Sequence, residues 1–307
     1  MSGPAVVAHC PAKVNLVLRV LGRRSDGYHE LDTVFQAVDL WDTLEIRAAD
    51  GLRLTSDDPR LEVDGGNLVL RAARLLAERH AGGPRHGALH LRKRIPVQAG
   101  LGGGSSDAAG ALMLCNRFWS LGLGRKALEP LAGELGSDAP FFLTGGTASG
   151  RGRGERIEAL PFVGETCVIL GCPPFGISTA EVFERLDGRL TLPGNGVSVS
   201  LVSVHKWPKQ NDFGFLTNDL ETVVFEGWPV LRRFRDALVE NGAAAALLSG
   251  SGSVVFGVFP GRSRPTAVAE RLGALFPEWR VSTTRFIDEG IRLGMPGRCE
   301  VEPKREA

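Results

Sequence analysis

Apolar residues along this chain alternate and then change period, and the changes mark its elements. Over residues 5 to 21, Val14, Leu16, Leu18 and Val20 share one face of an extended segment, while Lys13, Asn15, Val17 and Arg19 share the other. That two-residue period predicts one or two strands. A core-packed strand with a cation and an amide side by side on its second face is either solvated there or lines a polar site. Short strands are expected at 31 to 38, 43 to 48 and 52 to 56. The period then lengthens: Leu68, Ala72, Leu75 and Leu76 form a helical stripe behind Asn67 as N-cap, with Gly82 and Gly83 as the stop. Leu89, Leu91 and Ile95 return to strand alternation. Lys93 falls on their face, where it either ends that face at the surface or points towards a ligand.

The stretch Gly100-Leu101-Gly102-Gly103-Gly104-Ser105-Ser106-Asp107 connects that strand to a helix whose stripe is Ala108, Leu112, Cys115 and Trp119. A loop feeding a helix N-terminus presents unpaired N–H groups and the positive end of the helix dipole, and glycines let an anion approach the main chain. The hydroxyls of Ser105 and Ser106 suit a helix cap, a phosphate oxygen or a metal ion. Without a ligand, the same residues make a glycine-rich turn with a serine cap. The loop lacks the Gly-Lys-Ser/Thr ending of a Walker A loop, and Ser105 stands where Gly-x-Gly-x-x-Gly needs its third glycine. A phosphate site built here takes its lysine from elsewhere in the chain.

Two further stretches carry possible chemistry. Gly22 to Gly27 forms a turn that leads into Tyr28, the only tyrosine, and His29; the pair either packs over the core edge or meets a planar ligand. Leu135 to Phe142 is a helix stop, an Asp138 cap, Pro140 in the first turn and an apolar helix. The glycine-rich residues 145 to 154 lead into a strand near 155 to 160. Beyond them come a strand at 167 to 171, a capping box at Ser178 to Glu181, and an unassigned segment at 190 to 215. Asn218 caps a short helix and residues 229 to 241 form another. Strands at 244 to 248 and 253 to 259 flank Ser249-Gly250-Ser251-Gly252, and a helix at 265 to 276 and a strand at 279 to 286 follow. The order strand, helix, strand, strand, helix, strand matches a ferredoxin-like layer, with the helices around 218 to 241 inserted. The expected division is 1–160, 161–290 and a charged tail at 291–307.

Composition narrows the partners more than the chemistry. Of 307 residues, 43% are apolar and 23% charged, and the net charge is +1, so neither nucleic acid nor an anionic membrane is the expected partner. The five cysteines, at 10, 115, 167, 172 and 299, have no paired spacing and are expected to be reduced and buried rather than zinc ligands. No basic N-terminal segment precedes a long apolar run, which makes a cytoplasmic protein the expectation.

Three separated stretches, Pro11 to Leu16, Pro96 to Ala109 and Leu247 to Ser253, resemble in order and spacing the three motifs of the GHMP small-molecule kinases, and they cover most of the chain. Within that superfamily, Gly22 to Leu31 and Leu135 to Phe142 look like signatures of the branch acting on a cytidine-diphosphate-linked methylerythritol in the non-mevalonate isoprenoid pathway. The resemblance implies an α+β fold of two domains, an N-terminal ATP-binding domain and a C-terminal ferredoxin-like domain, with the active site in the cleft between them. It implies transfer of the γ-phosphoryl group of ATP, with Mg²⁺, to the 2-hydroxyl of that small molecule by a monomer or homodimer. Asp138 would accept the hydroxyl proton, with Lys13 beside it to stabilise charge, and Asn15 would position the substrate. The nucleotide would be held by Lys93, Pro96, Gly100, Leu101, Gly102, Gly103, Gly104, Ser105 and Ser106, the two serines also being candidates for the metal ion. Lys93 could instead reach the cytosine pocket. Tyr28 and His29 would hold the cytosine, Phe183 its other face, and Ser251 the substrate or phosphate end. Two rivals are a homoserine or mevalonate type of kinase, which needs no base-recognition pair, and a catalytically silent nucleotide-binding protein, which needs neither Lys13 nor Asp138.

Overall fold

The computed structural model describes residues 5–188, 213–261 and 264–295. Its centre is a long antiparallel hairpin of β1 (Val6–Arg23) and β2 (His29–Arg47). Sequence alternation suggests two strands where β2 is one. The break in pattern near residue 39 coincides with a register shift in its pairing to β1 between Pro11 and Ala12, so the strand bends without ending. Its first half pairs with β5 (Thr147–Gly152) and its second half with β4 (Gly87–Arg92). The strands β3 (Leu52–Ser56) and β6 (Arg156–Leu160) extend these branches. The sequence shows β5 only as a glycine-rich stretch. A Cβ on Gly150 would come within 2.6 Å of the Phe35 ring, so packing rather than a turn demands that glycine.

Helices α1 (Leu68–His80), α2 (Gly103–Phe118), α3 (Arg125–Leu135) and α4 (Ala139–Thr144) cover one face of this sheet. Asn67 caps α1 as expected, its side chain accepting from Val69 N at 2.9 Å. Helix α2 lies deepest, with Ala108, Ala109, Ala111, Leu112, Leu114 and Cys115 all buried. Gly110 brings it onto β1, where an added Cβ would lie 2.3 Å from Cys10 Sγ. Alanine normally favours a helix over glycine by about 1 kcal/mol, but the clash wins here. Gly110→Ala should therefore lower stability by about 1–3 kcal/mol in urea unfolding, and adding Cys10→Ala should recover most of the loss.

The second half is the ferredoxin-like layer. It contains β7 (Cys167–Cys172), α5 (Thr179–Asp187), β9 (Ala245–Leu248), β10 (Val255–Phe259), α8 (Thr266–Leu275) and β11 (Arg280–Arg285) in the all-antiparallel order β11-β7-β10-β9. Helices α6 (Glu221–Gly227) and α7 (Pro229–Glu240) form the insertion. Residues 189–212, most of the unassigned segment, lie outside the described residues.

Two details depart from the sequence reading. Asn218 lies in β8 (Thr217–Asn218) rather than capping a helix directly: its Oδ1 accepts from Leu220 N, and its Nδ2 donates to the carbonyls of Leu248 and Gly250. The strand β8 runs parallel to β1 at Val17 and Leu18. The stretch expected to be tail from 291 instead begins with β12 (Arg292–Gly294), paired to β1 at Val7 to His9; three residues are too few for a visible period. Val14, Leu16, Leu170, Phe256 and Phe286 are buried in one cluster that joins the two sheets. The four described cysteines are free and buried, and no helix among the described residues is long and apolar enough to cross a membrane.

Candidate active site

Lys13 and Asn15 share a face of β1 as the alternation requires, and both are buried. Lys13 Nζ donates to Asn15 Oδ1 at 2.6 Å. Asn15 Nδ2 donates to Thr33 Oγ1 at 2.8 Å, and that hydroxyl donates to Val17 O at 2.6 Å. The ammonium lies 3.4 Å from Asp138 Oδ2 and 5.5 Å from the centre of the Phe35 ring. A buried cation needs such partners, since an unpaired one carries a large desolvation cost. Asp138 precedes α4, but its side chain makes no capping bond, so the capping alternative fails. About a third of that side chain is exposed, which leaves it reachable from the cleft.

The glycine loop packs directly behind this pair. Gly102 has φ +71°, and a Cβ there would lie 2.7 Å from the Phe142 ring and 3.1 Å from Lys13 Cγ. A Cβ on Gly100 would lie 2.0 Å from the Ser249 carbonyl oxygen; Ser249 Oγ in turn donates to Gly100 O at 2.9 Å. The loop thus joins Lys13, α4 and the late turn into one wall. The helix ladder of α2 begins with Ser106 N donating to Gly102 O, so the N–H groups of Gly103, Gly104 and Ser105 stand ahead of it, where an anion finds them.

Three expected nucleotide residues have other tasks. Ser106 is fully buried and its hydroxyl donates to Pro11 O at 2.7 Å, so it holds α2 to β1 and is not offered to phosphate or metal. Leu101 is buried as well; its carbonyl accepts from Lys13 N at 3.0 Å. Lys93 borders the cleft, but its ammonium is 2.5 Å from Asp42 Oδ2 and 2.7 Å from Asp107 Oδ2, all three side chains being buried. Burial pulls this ammonium down, and Asp107 and Asp42 outweigh it and hold it above its ordinary value. Lys93 is therefore neither a surface end nor a free charge aimed at a ligand. Asp42 also accepts from Arg94 N and Ile95 N, at 2.5 and 2.9 Å, which fixes the chain entering the loop. Asp42 is not visible as a partner in sequence, because it is 51 residues from Lys93 and carries no local motif.

Tyr28, His29 and Phe183 meet at the other end. Tyr28 is 54% exposed, with the Arg153 guanidinium 4.8 Å from its ring centre. His29 and Phe183 stack on each other with centroids 4.6 Å apart. His29 Nε2 lies 2.6 Å from Asp187, a partner that the sequence reading missed. Ser251 Oγ is 2.8 Å from Thr179 Oγ1. Lys13, Asn15, Tyr28, His29, Pro96, Gly100, Gly102 to Ser105, Asp138, Phe183 and Ser251 all border one cleft of about 1620 Å³. A single small ligand fills roughly 300–1,000 Å³, so two fit side by side.

The fold and this loop define a GHMP kinase. The model of the GHMP kinases N terminal domain matches residues 67–146, and that of the GHMP kinases C terminal region matches residues 205–278. The 4-diphosphocytidyl-2-C-methyl-D-erythritol kinase of Pelotomaculum thermopropionicum is 44% identical over 269 residues, 87% of this chain and 93% of the relative. The crystal structure of a 4-(cytidine 5'-diphospho)-2C-methyl-D-erythritol kinase superposes with a TM-score of 0.74 at 34% identity, over 93% of this chain and 99% of that one. The chain belongs to the family of 4-diphosphocytidyl-2-C-methyl-D-erythritol kinases. Architecture alone does not choose the substrate: the homoserine kinase of Cytophaga hutchinsonii superposes nearly as well, with a TM-score of 0.73 over 95% of this chain and 98% of its own, at 19% identity.

Proposed function

We propose that this protein transfers the γ-phosphoryl group of ATP to the 2-hydroxyl of 4-diphosphocytidyl-2-C-methyl-D-erythritol. The observation that carries the chemistry is the ammonium of Lys13 placed 3.4 Å from Asp138 Oδ2, beside the N-terminus of α2. Phosphoryl transfer asks a protein mainly for positioning and charge stabilisation. The N–H groups of Gly103, Gly104 and Ser105 hold the triphosphate, and Asp138 accepts the proton that leaves the attacking hydroxyl. Lys13, paired with Asp138, stabilises charge that develops on the transferred group. Asn15, fixed through Thr33, orients the substrate.

Among the described residues no group of three or more His, Cys, Asp or Glu could hold a metal ion. Mg²⁺ is held largely by phosphate oxygens and water, and would here take the hydroxyl of Ser105, which borders the cleft at the head of α2, as its protein ligand. When bound, it neutralises phosphate charge. At the far end, Tyr28 and Phe183 offer aromatic faces and His29 a polar edge to a cytosine, which a homoserine or mevalonate kinase has no use for. A coupled ADP-release assay over a panel of alcohols should show turnover with the cytidine-linked methylerythritol and little with free methylerythritol phosphate, homoserine or mevalonate. Comparable efficiency with homoserine or mevalonate would sink the assignment.

A further inference from the structure

We propose that Asp187 makes this site choose cytosine over uracil, by fixing the tautomer of His29. The proposal rests on the cytidine-linked substrate argued above. His29 is buried at the start of β2, and its Nε2 lies 2.6 Å from Asp187 Oδ1. The second carboxylate oxygen of Asp187 is 3.5 Å from Arg23 Nη1, and Arg23 stands directly opposite His29 in the β1–β2 register. Phe183, one turn earlier on α5, stacks on the same imidazole with an interplanar angle of 23°. One face of one helix therefore holds the ring both at its edge and on its plane.

A carboxylate set between an imidazole and an arginine accepts hydrogen bonds and donates none. The proton in the contact with Asp187 accordingly belongs to Nε2, and Nδ1 keeps its lone pair. Among the described residues, the contact with Asp187 is the only hydrogen bond of the His29 ring. An acceptor at Nδ1 matches the exocyclic amino group of cytosine. Uracil in the same seat presents a carbonyl oxygen instead, and two lone pairs face each other. A site built to hydrogen-bond one ligand rejects a non-matching analogue far more strongly than an apolar pocket does, because its polar group is left unpaired. The aromatic faces of Tyr28 and Phe183 accept any pyrimidine, so the choice between pyrimidines falls to the His29–Asp187 pair. Asp187 acts through His29 and is a positioning residue.

Two measurements test this on the full chain. Nitrogen-15 NMR of the imidazoles should find His29 in the Nε2–H form in the wild type, and Asp187→Ala should move the population away from that form. In the ADP-release assay, the wild type should prefer the cytidine-linked substrate over its uridine-linked analogue by at least about 10²-fold in kcat/KM. Asp187→Ala should cut that ratio about tenfold or more, chiefly through KM, and Asp187→Glu should restore part of it. A wild-type His29 protonated at Nδ1, or a cytidine-to-uridine ratio unchanged in Asp187→Ala, overturns the proposal while the kinase reading stands. A wild type that turns over no cytidine-linked substrate removes the kinase reading and this proposal together.

Discussion

Asp138→Asn should lower kcat by about 10²–10⁴-fold while the KM for ATP stays within about twofold. The amide keeps the size of the carboxylate and its place ahead of α4, where Asp138 makes no capping bond, so the helix loses nothing. What disappears is the ability to take a proton from the substrate hydroxyl. Lys13→Met should fall in the same range, since its ammonium lies 3.4 Å from the same carboxylate. Residues that act as one unit are not additive, so the double variant should be no worse than the poorer single one. Single-turnover phosphoryl transfer with saturating ATP separates the chemical step from binding. An unchanged rate in Asp138→Asn would reduce that residue to a neighbour of the site, and losses that multiply in the double variant would show that Lys13 and Asp138 act separately.

The largest effect on stability is expected from Lys93→Met. Lys93 sits between Asp42 and Asp107, at 2.5 and 2.7 Å, with all three side chains buried. Removing the cation leaves two carboxylates facing each other out of water, and breaking a buried pair in this way costs about 3–5 kcal/mol. Asp107→Asn should cost far less, within about 1 kcal/mol, because the amide oxygen still accepts from Lys93 and Asp42 keeps its pairing. Burial pushes the Asp107 carboxyl up against the pull of Lys93, so the neutral amide replaces a carboxylate whose charge the buried site disfavours. Urea unfolding at pH 7 distinguishes the two variants. Equal losses would mean that the carboxylate, not the lysine, carries the cluster. Because Lys93 is held above its ordinary value, its share of stability is complete at neutral pH and is lost only as the pH rises past the ordinary lysine range.

Sequence by itself determined most of the elements and pointed to a candidate site, because those signals are local. Alternation placed Lys13 and Asn15 on one face of a strand, the three glycines at a helix start suggested an anion site, and strand-helix order matched the ferredoxin-like layer. Even so, the long bent β2, the strand β5 hidden in a glycine-rich stretch and the three-residue β12 escaped, since bulges, packing glycines and very short strands leave no period to read. Spacing showed that Leu101 and Ser106 belong to the loop and Lys93 to the strand before it, but not that they turn inward to Lys13, Pro11 and the two aspartates. Those partners are brought together only by closure of the chain. The same closure set Asp187 against His29, 158 residues apart, with a carboxylate oxygen at hydrogen-bond distance from the ring. The choice of fold was written in short-range pattern, whereas the state of each buried polar group depended on long-range neighbours, because desolvation and pairing act through space and have no period along the chain.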